Sequence, residues 1–254
     1  MPFGDVFSRV EYIDFESADN KYIKFRNNFI TRLGFKIFGI PHLGLRLRAR
    51  KIINNFPKKL KKVLDAGCGT GVYSFTLSNK AKEIYAIDIS KKKIDYCRKI
   101  NHFDNINFEI GNLTKLRYKD NSFDLIICSD VFEHIKDDEK AFKELARTLD
   151  YNGTAIITLP INSKANKLNY KLYEHERAGY SLEDIKKWCK KYDLSILNHE
   201  YYSSKTSRWL FKIHNSFNNK IFTAALFYPF FALSLIADLF GKEFDGLLIK
   251  LGEN

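Results

Sequence analysis

The sequence predicts an α/β protein with a doubly wound, mostly parallel sheet, and three observations carry that prediction. The first is Val63-Leu64-Asp65-Ala66-Gly67-Cys68-Gly69-Thr70-Gly71, where an apolar run enters three alternating glycines and a helical pattern starts at about Val72. It reads as a buried strand, a tight turn and a helix start. Glycine is needed where backbone turns sharply or lies against a ligand, because a Cβ would clash there. The second is Glu83-Ile84-Tyr85-Ala86-Ile87-Asp88, another apolar strand, ending in an acid. The third is the alternation of strand and helix patterns as far as Leu159, which predicts βαβ units with right-handed crossovers.

Each element has its own signal. A helix is expected from Val72 to Lys80, and Ser90 can cap another that reaches Asn101. Ile106 to Ile110 is a short third strand. Phe123 to Cys128 is almost wholly apolar, as a strand covered on both faces must be. Asp137 or Asp138 opens a helix to Leu149, Asn152-Gly153 makes a turn, and Thr154 to Leu159 is the fifth strand. Residues 160–180 interrupt the alternation with a polar, aromatic stretch. Ser181 then caps a helix through Lys191, and Leu194 to Tyr201 is expected as a sixth strand.

Open sheets of this kind bind ligands beyond the carboxyl ends of their strands. Amides at a helix start face such a ligand. Asp88 follows the first glycine at about the distance where doubly wound folds set a carboxylate on a ribose. A carboxylate accepts hydrogen bonds from both ribose hydroxyls. The glycines are spaced G-x-G-x-G with no basic residue among them, which favours a nucleoside without phosphate. A strand-turn-helix with no ligand is the plain alternative for a lone glycine-rich turn. Asp88 weighs against it.

Asp65-Ala66-Gly67-Cys68-Gly69-Thr70-Gly71 resembles the first motif of class I S-adenosylmethionine-dependent methyltransferases, as in ubiquinone- and menaquinone-type small-molecule enzymes. Asp88, then Gly111-Asn112-Leu113, then Phe123 to Ser129 with Asp130-Val131-Phe132-Glu133-His134 resemble that family's later motifs in order. The resemblance covers about Lys59 to Leu159. It implies a Rossmann-like methyltransferase core with S-adenosyl-L-methionine as cofactor. It implies that Gly67, Gly69 and Gly71 approach the methionine part and that Asp65 orders its amino end through water or a loop amide. Asp88 would bind the ribose, and Ile89 and Leu113 would pack on adenine. Asn112 stands where Asp is common, and its oxygen can still accept from the adenine amino group. Ser129 would border the methionine moiety.

The sulfonium methyl is already electrophilic, so holding the acceptor in line and excluding water supplies much of the rate. An oxygen or nitrogen acceptor can also need a proton removed. His134 is the nearest candidate catalytic base, with stabilisation of a helix start as its alternative role. His175, Arg177 and Tyr180 are the acceptor-side candidates, Arg177 as a clamp for carboxylate or phosphate. The alternative is an exposed loop whose charges pair with Glu174 and Glu176. Asp130, Glu133 and His134 also resemble the Glu-x-x-Glu-His metal set of some ubiquinone-type O-methyltransferases and small-RNA methyltransferases, with Asp for the first Glu and His175 as a further donor. Acids at a helix start have a plainer reason to be there. No resident metal is expected.

A chain of 254 residues can bury a full core, here read as one domain with appendages. Residues 1–57 are expected as a helical N-terminal cover, from helical spacing over 29–38 and 43–56 with Pro41 between, and with Tyr12 and Tyr22 near enough in sequence to reach a cleft. Residues 58–202 form the cofactor-binding core with an acceptor loop over 160–180, and 203–254 form an apolar helical C-terminal tail. Within that tail, 221–237 contains no charged residue, short of the roughly twenty that span a bilayer. Lys205, Arg208, Lys212 and Lys220, with Trp209, precede it, as suits a membrane interface. An interfacial or hairpin anchor, a buried helix or homodimer interface, and a full span remain open.

The net charge of +12 is spread along the chain and fits nucleic acid, anionic lipid, acidic substrates or a solvated surface alike. No RNA-binding module or Asn-Pro-Pro-Tyr motif is present, so nucleic acid ranks below a small-molecule or lipid acceptor. Four cysteines without paired spacing read as reduced thiols of a cytoplasmic protein. The N-terminus does not read as a signal peptide. The expectation is methyl transfer to a lipid, quinone precursor or other membrane-associated small molecule, at the inner face of a membrane through peripheral contact over 203–240. The alternatives are a soluble small molecule or RNA as acceptor, or a non-catalytic S-adenosylmethionine-binding protein.

Overall fold

The computed structural model describes residues 43–216 and 220–253. The helix expected over 29–38, and Tyr12 and Tyr22, lie outside the described residues. Helix α1 spans Leu43–Asn54. The chain then alternates through β1 (Leu60–Ala66), α2 (Val72–Leu77), β2 (Ala81–Asp88), α3 (Lys91–Ile100), β3 (Ile106–Ile110) and β4 (Phe123–Ser129). A single 3₁₀ turn, Phe132–His134, precedes α4 (Asp138–Thr148) and β5 (Leu149–Pro160). The interrupting stretch contains α5 (Lys164–Asn169) and a 3₁₀ turn at Tyr170–Tyr173, followed by α6 (Leu182–Lys191) and β6 (Leu194–Tyr202). Helices α7 (Lys205–Ser216) and α8 (Lys220–Phe240) and strand β7 (Gly246–Glu253) complete the described chain.

The strands form one sheet in the order β3-β2-β1-β4-β5-β7-β6. β1 to β5 pair in parallel, and β7 runs antiparallel to both β5 and β6. The order reverses at β1, with β2 on one side and β4 on the other. That is the switch point where a crevice opens at the strand carboxyl ends. Leu64, Phe123, Ile126, Leu159 and Ile249 are fully buried in the core that the sheet shares with its covering helices. Phe142 of α4 packs on Trp188 of α6 with ring centroids 5.2 Å apart, so the two helices share one aromatic core.

Three sequence expectations are corrected. Residues 246–253, read as the end of an apolar tail, are a core strand inserted between β5 and β6. The expected turn at Asn152-Gly153 is an irregularity inside β5: Phe123 pairs with Leu149 and Leu125 with Thr154, so β5 carries extra residues against β4. Helix α2 stops at Leu77 instead of Lys80. Ser78 Oγ donates to the Phe75 carbonyl at 2.9 Å and the Lys80 amide to the Leu77 carbonyl at 2.8 Å, which closes the helix early.

Arg48–Tyr202 and Glu243–Asn254 belong to the unit built on the sheet, and Ser203–Lys242 belong to a second compact unit. In the second unit Asp238 accepts from the Ser203 and Ser204 amides at 2.9 and 2.8 Å, tying the start of α7 to the end of α8. Among the described residues no helix is long and apolar enough to cross a membrane. The four cysteines are free and buried, as reduced core thiols should be.

Candidate functional site

The glycine turn is held open by its own backbone. Gly67, Gly69 and Gly71 have φ of +77°, +55° and +79°, in the left-handed region that L side chains rarely adopt. The amides of Gly67 and Cys68 both donate to the Ile87 carbonyl at 2.8 Å, which fastens the turn to the end of β2. A Cβ on Gly67 would lie 2.4 Å from Val131 Cγ2, and one on Gly71 would lie 2.8 Å from the Phe75 ring. A Cβ on Gly69 meets no heavy atom within 4 Å. Two glycines are therefore required by close packing, and the middle one borders open space.

Asp88 is held by the same turn. Its Oδ2 accepts from the Gly69 amide at 2.9 Å and its Oδ1 from the Ser90 amide at 2.8 Å. Each carboxylate oxygen keeps a further lone pair for a hydroxyl. Ile89, next in sequence, is 74 % exposed, a large apolar side chain left standing at the strand end. Leu113 instead belongs to the buried core. Asn112 Oδ1 accepts from the amide and the hydroxyl of Thr114, both at 2.9 Å, and so shapes its own turn.

Asp65 lies beneath the turn, fully buried. Its Oδ2 accepts from the Ser74 amide at 3.0 Å and from Ser74 Oγ at 2.6 Å, which ties β1 to α2. Burial pushes its carboxyl up to about 6, against the lowering effect of the Ser74 hydrogen bonds. The folded value is above the unfolded one, so stability is full below about pH 4 and is lost as pH rises through 6. The loss is about 3 kcal/mol for a shift of this size. Asp65→Asn keeps an acceptor for Ser74 and removes the buried charge. Urea unfolding from pH 4 to pH 7 should therefore show a steeper fall of stability in the natural chain than in the variant, which keeps only the contribution of buried Glu133. Parallel curves would contradict this reading of Asp65.

The other edge of the crevice forms where β4 ends. The Glu133 carbonyl accepts from the Glu176 amide at 2.7 Å and the Arg177 amide at 3.3 Å, docking the expected acceptor loop on the 3₁₀ turn. His134 and His175 consequently meet edge to face, with ring centroids 4.6 Å apart. His134 Nδ1 lies 3.3 Å from the Glu174 carbonyl. A carbonyl only accepts, so Nδ1 carries the proton and Nε2 is the basic nitrogen. Burial, with the neighbouring His134, pushes His175 down to about 4, so its imidazole is neutral near pH 7.

Arg177 and Tyr180 occupy different surroundings from the two histidines. Arg177 pairs with Asp138 at 3.3 Å and Asp184 at 3.0 Å and stacks on the Tyr180 ring. Tyr180 is fully buried, and its hydroxyl donates to Asp138 at 2.9 Å. Both side chains anchor the loop to α4 and α6. The ligand atoms of Glu133, His134 and His175 lie within 4.8 Å of one another. Glu133 Oε2 is buried with no hydrogen-bond partner among the described residues, and burial pushes its carboxyl up to about 7. Two imidazoles and a carboxylate are donors suited to a divalent transition ion, although the sequence led to no expected metal. Asp130, the first member of the resembled metal set, pairs with Arg48 instead.

The sequence pattern of the family described as "Methyltransferase domain" matches residues 57–220. The chain belongs to the methyltransferase domain family. The class I S-adenosylmethionine-dependent methyltransferase resemblance and the Rossmann-like sheet both stand with it. Within this family the chain is similar to phosphoethanolamine N-methyltransferase 3 of Arabidopsis thaliana, 33 % identical over 129 residues covering 49 % of this chain and 26 % of the relative. It is also similar to ubiquinone biosynthesis O-methyltransferase of Coxiella burnetii, 30 % identical over 129 residues covering 49 % of this chain and 54 % of the relative. The chain thus spans about a quarter and about half of these relatives. A solved structure of Haemonchus contortus phosphoethanolamine N-methyltransferase 2, with phosphomonomethylethanolamine and S-adenosylhomocysteine, aligns with TM-score 0.61 and 16 % identity over 89 % of this chain and 56 % of that one. At that identity it shares the fold.

This methyltransferase domain also joins side chains that sequence reading left apart. Tyr73 OH lies 3.4 Å from Ser129 Oγ, and Ser129 Oγ lies 3.0 Å from Thr158 Oγ1. Thr158 Oγ1 donates to Asp130 Oδ1 at 2.9 Å. Asp130 pairs with Arg48 of α1, and the Tyr202 hydroxyl reaches the same carboxylate oxygen at 3.5 Å. Serine, threonine and tyrosine are common residue types, and no spacing links positions 73, 129 and 158. Ser129 and Asp130 were noticed in sequence, each for a different role.

Proposed function

We propose that the chain transfers a methyl group from S-adenosylmethionine to a lipid, a quinone precursor or another membrane-associated small molecule. The observation that carries the cofactor half is the opening at Gly69, bordered by the amide-held carboxylate of Asp88 at the switch point of the sheet. Gly67, Gly69 and Gly71 would cradle the methionine part, while Asp65 sets the loop through Ser74. Asp88 would take the ribose hydroxyls and exposed Ile89 would cover the adenine face. Asn112 and Leu113 would shape the turn and floor beneath the adenine, and Ser129 would border the methionine. His175 stands at the acceptor edge with His134, on a loop that Arg177 and Tyr180 hold in place.

The acceptor half is supported by two things. One relative is named for ubiquinone biosynthesis and another for phosphoethanolamine, the polar part of a lipid headgroup, and α8 leaves large apolar side chains exposed. The attacking atom must be held in line with the sulfonium methyl, and an oxygen acceptor must also lose its proton as the new bond forms. Two groups could take that proton: Nε2 of His134, and the hydroxyl chain that ends on Asp130.

The test is transfer of radiolabelled methyl from S-adenosylmethionine to a total cell extract, split into organic and aqueous phases. Label is expected in the organic phase. Label confined to the aqueous phase would turn the search to soluble small molecules or RNA. Cofactor binding without transfer to either phase would favour a non-catalytic protein.

A further inference from the structure

We infer that Tyr73 receives the acceptor's proton and that the chain Ser129, Thr158, Asp130 carries it away, so that the acceptor atom is a hydroxyl oxygen. This rests on the methyltransferase reading above. The polarity of the chain follows from its end. Asp130 pairs with Arg48, so its carboxylate is ionised and only accepts. Thr158 spends its single proton on Asp130 at 2.9 Å. Ser129 must then donate to Thr158 across 3.0 Å, and Tyr73 must donate to Ser129 across 3.4 Å. The Tyr73 oxygen is left with lone pairs only. What it faces must bring the proton: an ether, carbonyl or tertiary amine has none to bring, a free amine attacks through its lone pair without needing a base in that step, and a hydroxyl oxygen needs its proton taken as it attacks.

Placement supports the same assignment. Tyr73 is the second residue of α2, directly after the glycine turn, and Ser129 ends β4 beside the switch point. Asp130 holds φ of +51°, a left-handed conformation that is uncommon outside glycine and accumulates at functional positions. Its side chain is 29 % exposed, so a proton that arrives there can pass to water. His134 instead is exposed, its ring against His175.

The step balances. The acceptor oxygen forms a bond to the methyl carbon, and the carbon–sulfur pair leaves with sulfur as neutral S-adenosylhomocysteine. The acceptor's proton passes to Tyr73, that of Tyr73 to Ser129, that of Ser129 to Thr158 and that of Thr158 to Asp130, which then releases it to solvent. The positive charge of the sulfonium is carried off as that proton.

The experiment uses the full chain, labelled S-adenosylmethionine and the same cell extract as acceptor source. Tyr73→Phe and Asp130→Asn should each lower transfer by about 100-fold, in the range for loss of a positioned proton acceptor. Their S-adenosylmethionine affinity, read by calorimetry, should stay within about threefold, because one proton route and not the binding site is cut. The double variant should lose no more than either single one, since groups acting as a unit are not additive. Thr158→Val should reproduce the loss, and Thr158→Ser, which keeps the hydroxyl, should restore most of it. Label in the product should be released as methyl iodide by hot hydriodic acid, as from an ether or ester.

Transfer in Tyr73→Phe and Asp130→Asn within about threefold of the natural chain would overturn the inference while leaving the methyltransferase reading intact. So would a label fixed on nitrogen or carbon, or a loss seen only in His134→Ala. No transfer by the natural chain would sink both. Melting curves on every variant separate misfolding from a cut relay, and Thr158→Ser keeps the test decisive should Thr158→Val fail to fold.

Discussion

Gly69→Arg is expected to leave the sheet folded and to abolish S-adenosylmethionine binding. The position has φ of +55°, so an L residue costs about 1–2 kcal/mol in backbone strain. Nothing further is lost to clashes, because a Cβ there meets no heavy atom within 4 Å. For a chain of this size that strain lowers the melting temperature by roughly 2–8 °C. The same open space is where the cofactor would lie against backbone, and an arginine side chain fills it. Affinity by calorimetry should fall at least about 100-fold, which corresponds to roughly 3 kcal/mol. Gly67→Ala is the contrasting case. Its methyl would enter the side chain of Val131 at 2.4 Å with φ of +77°, so that variant should fail first in stability. A Gly69→Arg protein that is folded and still binds the cofactor with natural affinity would remove the glycine turn from the site.

The contrast between the two glycines shows what was legible in sequence. Their spacing identifies a turn that needs left-handed backbone. It does not say which glycine packs against Val131 and which borders open space, because Val131 arrives from β4, far along the chain. Strand β7 was hidden for a related reason. Gly246-Leu247-Leu248-Ile249 follows an apolar helix, and its strand character only becomes decisive when β5 and β6 leave a gap to fill. The alternation from β1 to β5 was legible because each βαβ unit is local and repeats the same burial pattern. The acceptor edge was legible by half. His134 follows from the position after β4, whereas its meeting with His175 depends on the Glu133 carbonyl capturing two loop amides. Arg177 and Tyr180 looked available in sequence because Asp138 and Asp184, which hold them, lie on two other helices. The hydroxyl chain was not legible, since its members become neighbours only at the ends of adjacent elements.

Replacing Ile236, Leu239 and Phe240 with aspartate is expected to cut vesicle binding by about 100-fold or more, if α8 is the membrane contact we propose. These side chains are 54 %, 77 % and 83 % exposed. They recur at three- and four-residue steps along α8, so they share one side of the helix. Fully burying each would contribute about 1.5–3 kcal/mol. Interfacial helices sink their apolar face only to the boundary of headgroup and acyl chain. Part of that sum, roughly 3–5 kcal/mol for the three together, is the realistic loss, and it corresponds to about two to nearly four orders of magnitude in partition. Exposed Trp209, with Lys205, Lys212 and Lys242, adds an aromatic and basic margin. Binding should therefore be tighter to phosphatidylglycerol vesicles than to phosphatidylcholine vesicles, and should weaken with salt. Sedimentation of the protein with each kind of vesicle reads both effects. Equal binding by the natural and triply substituted chains would move the contact away from α8. Absence of binding by the natural chain, together with label only in the aqueous phase, would leave the exposed face of α8 to a protein partner and the acceptor to soluble chemistry.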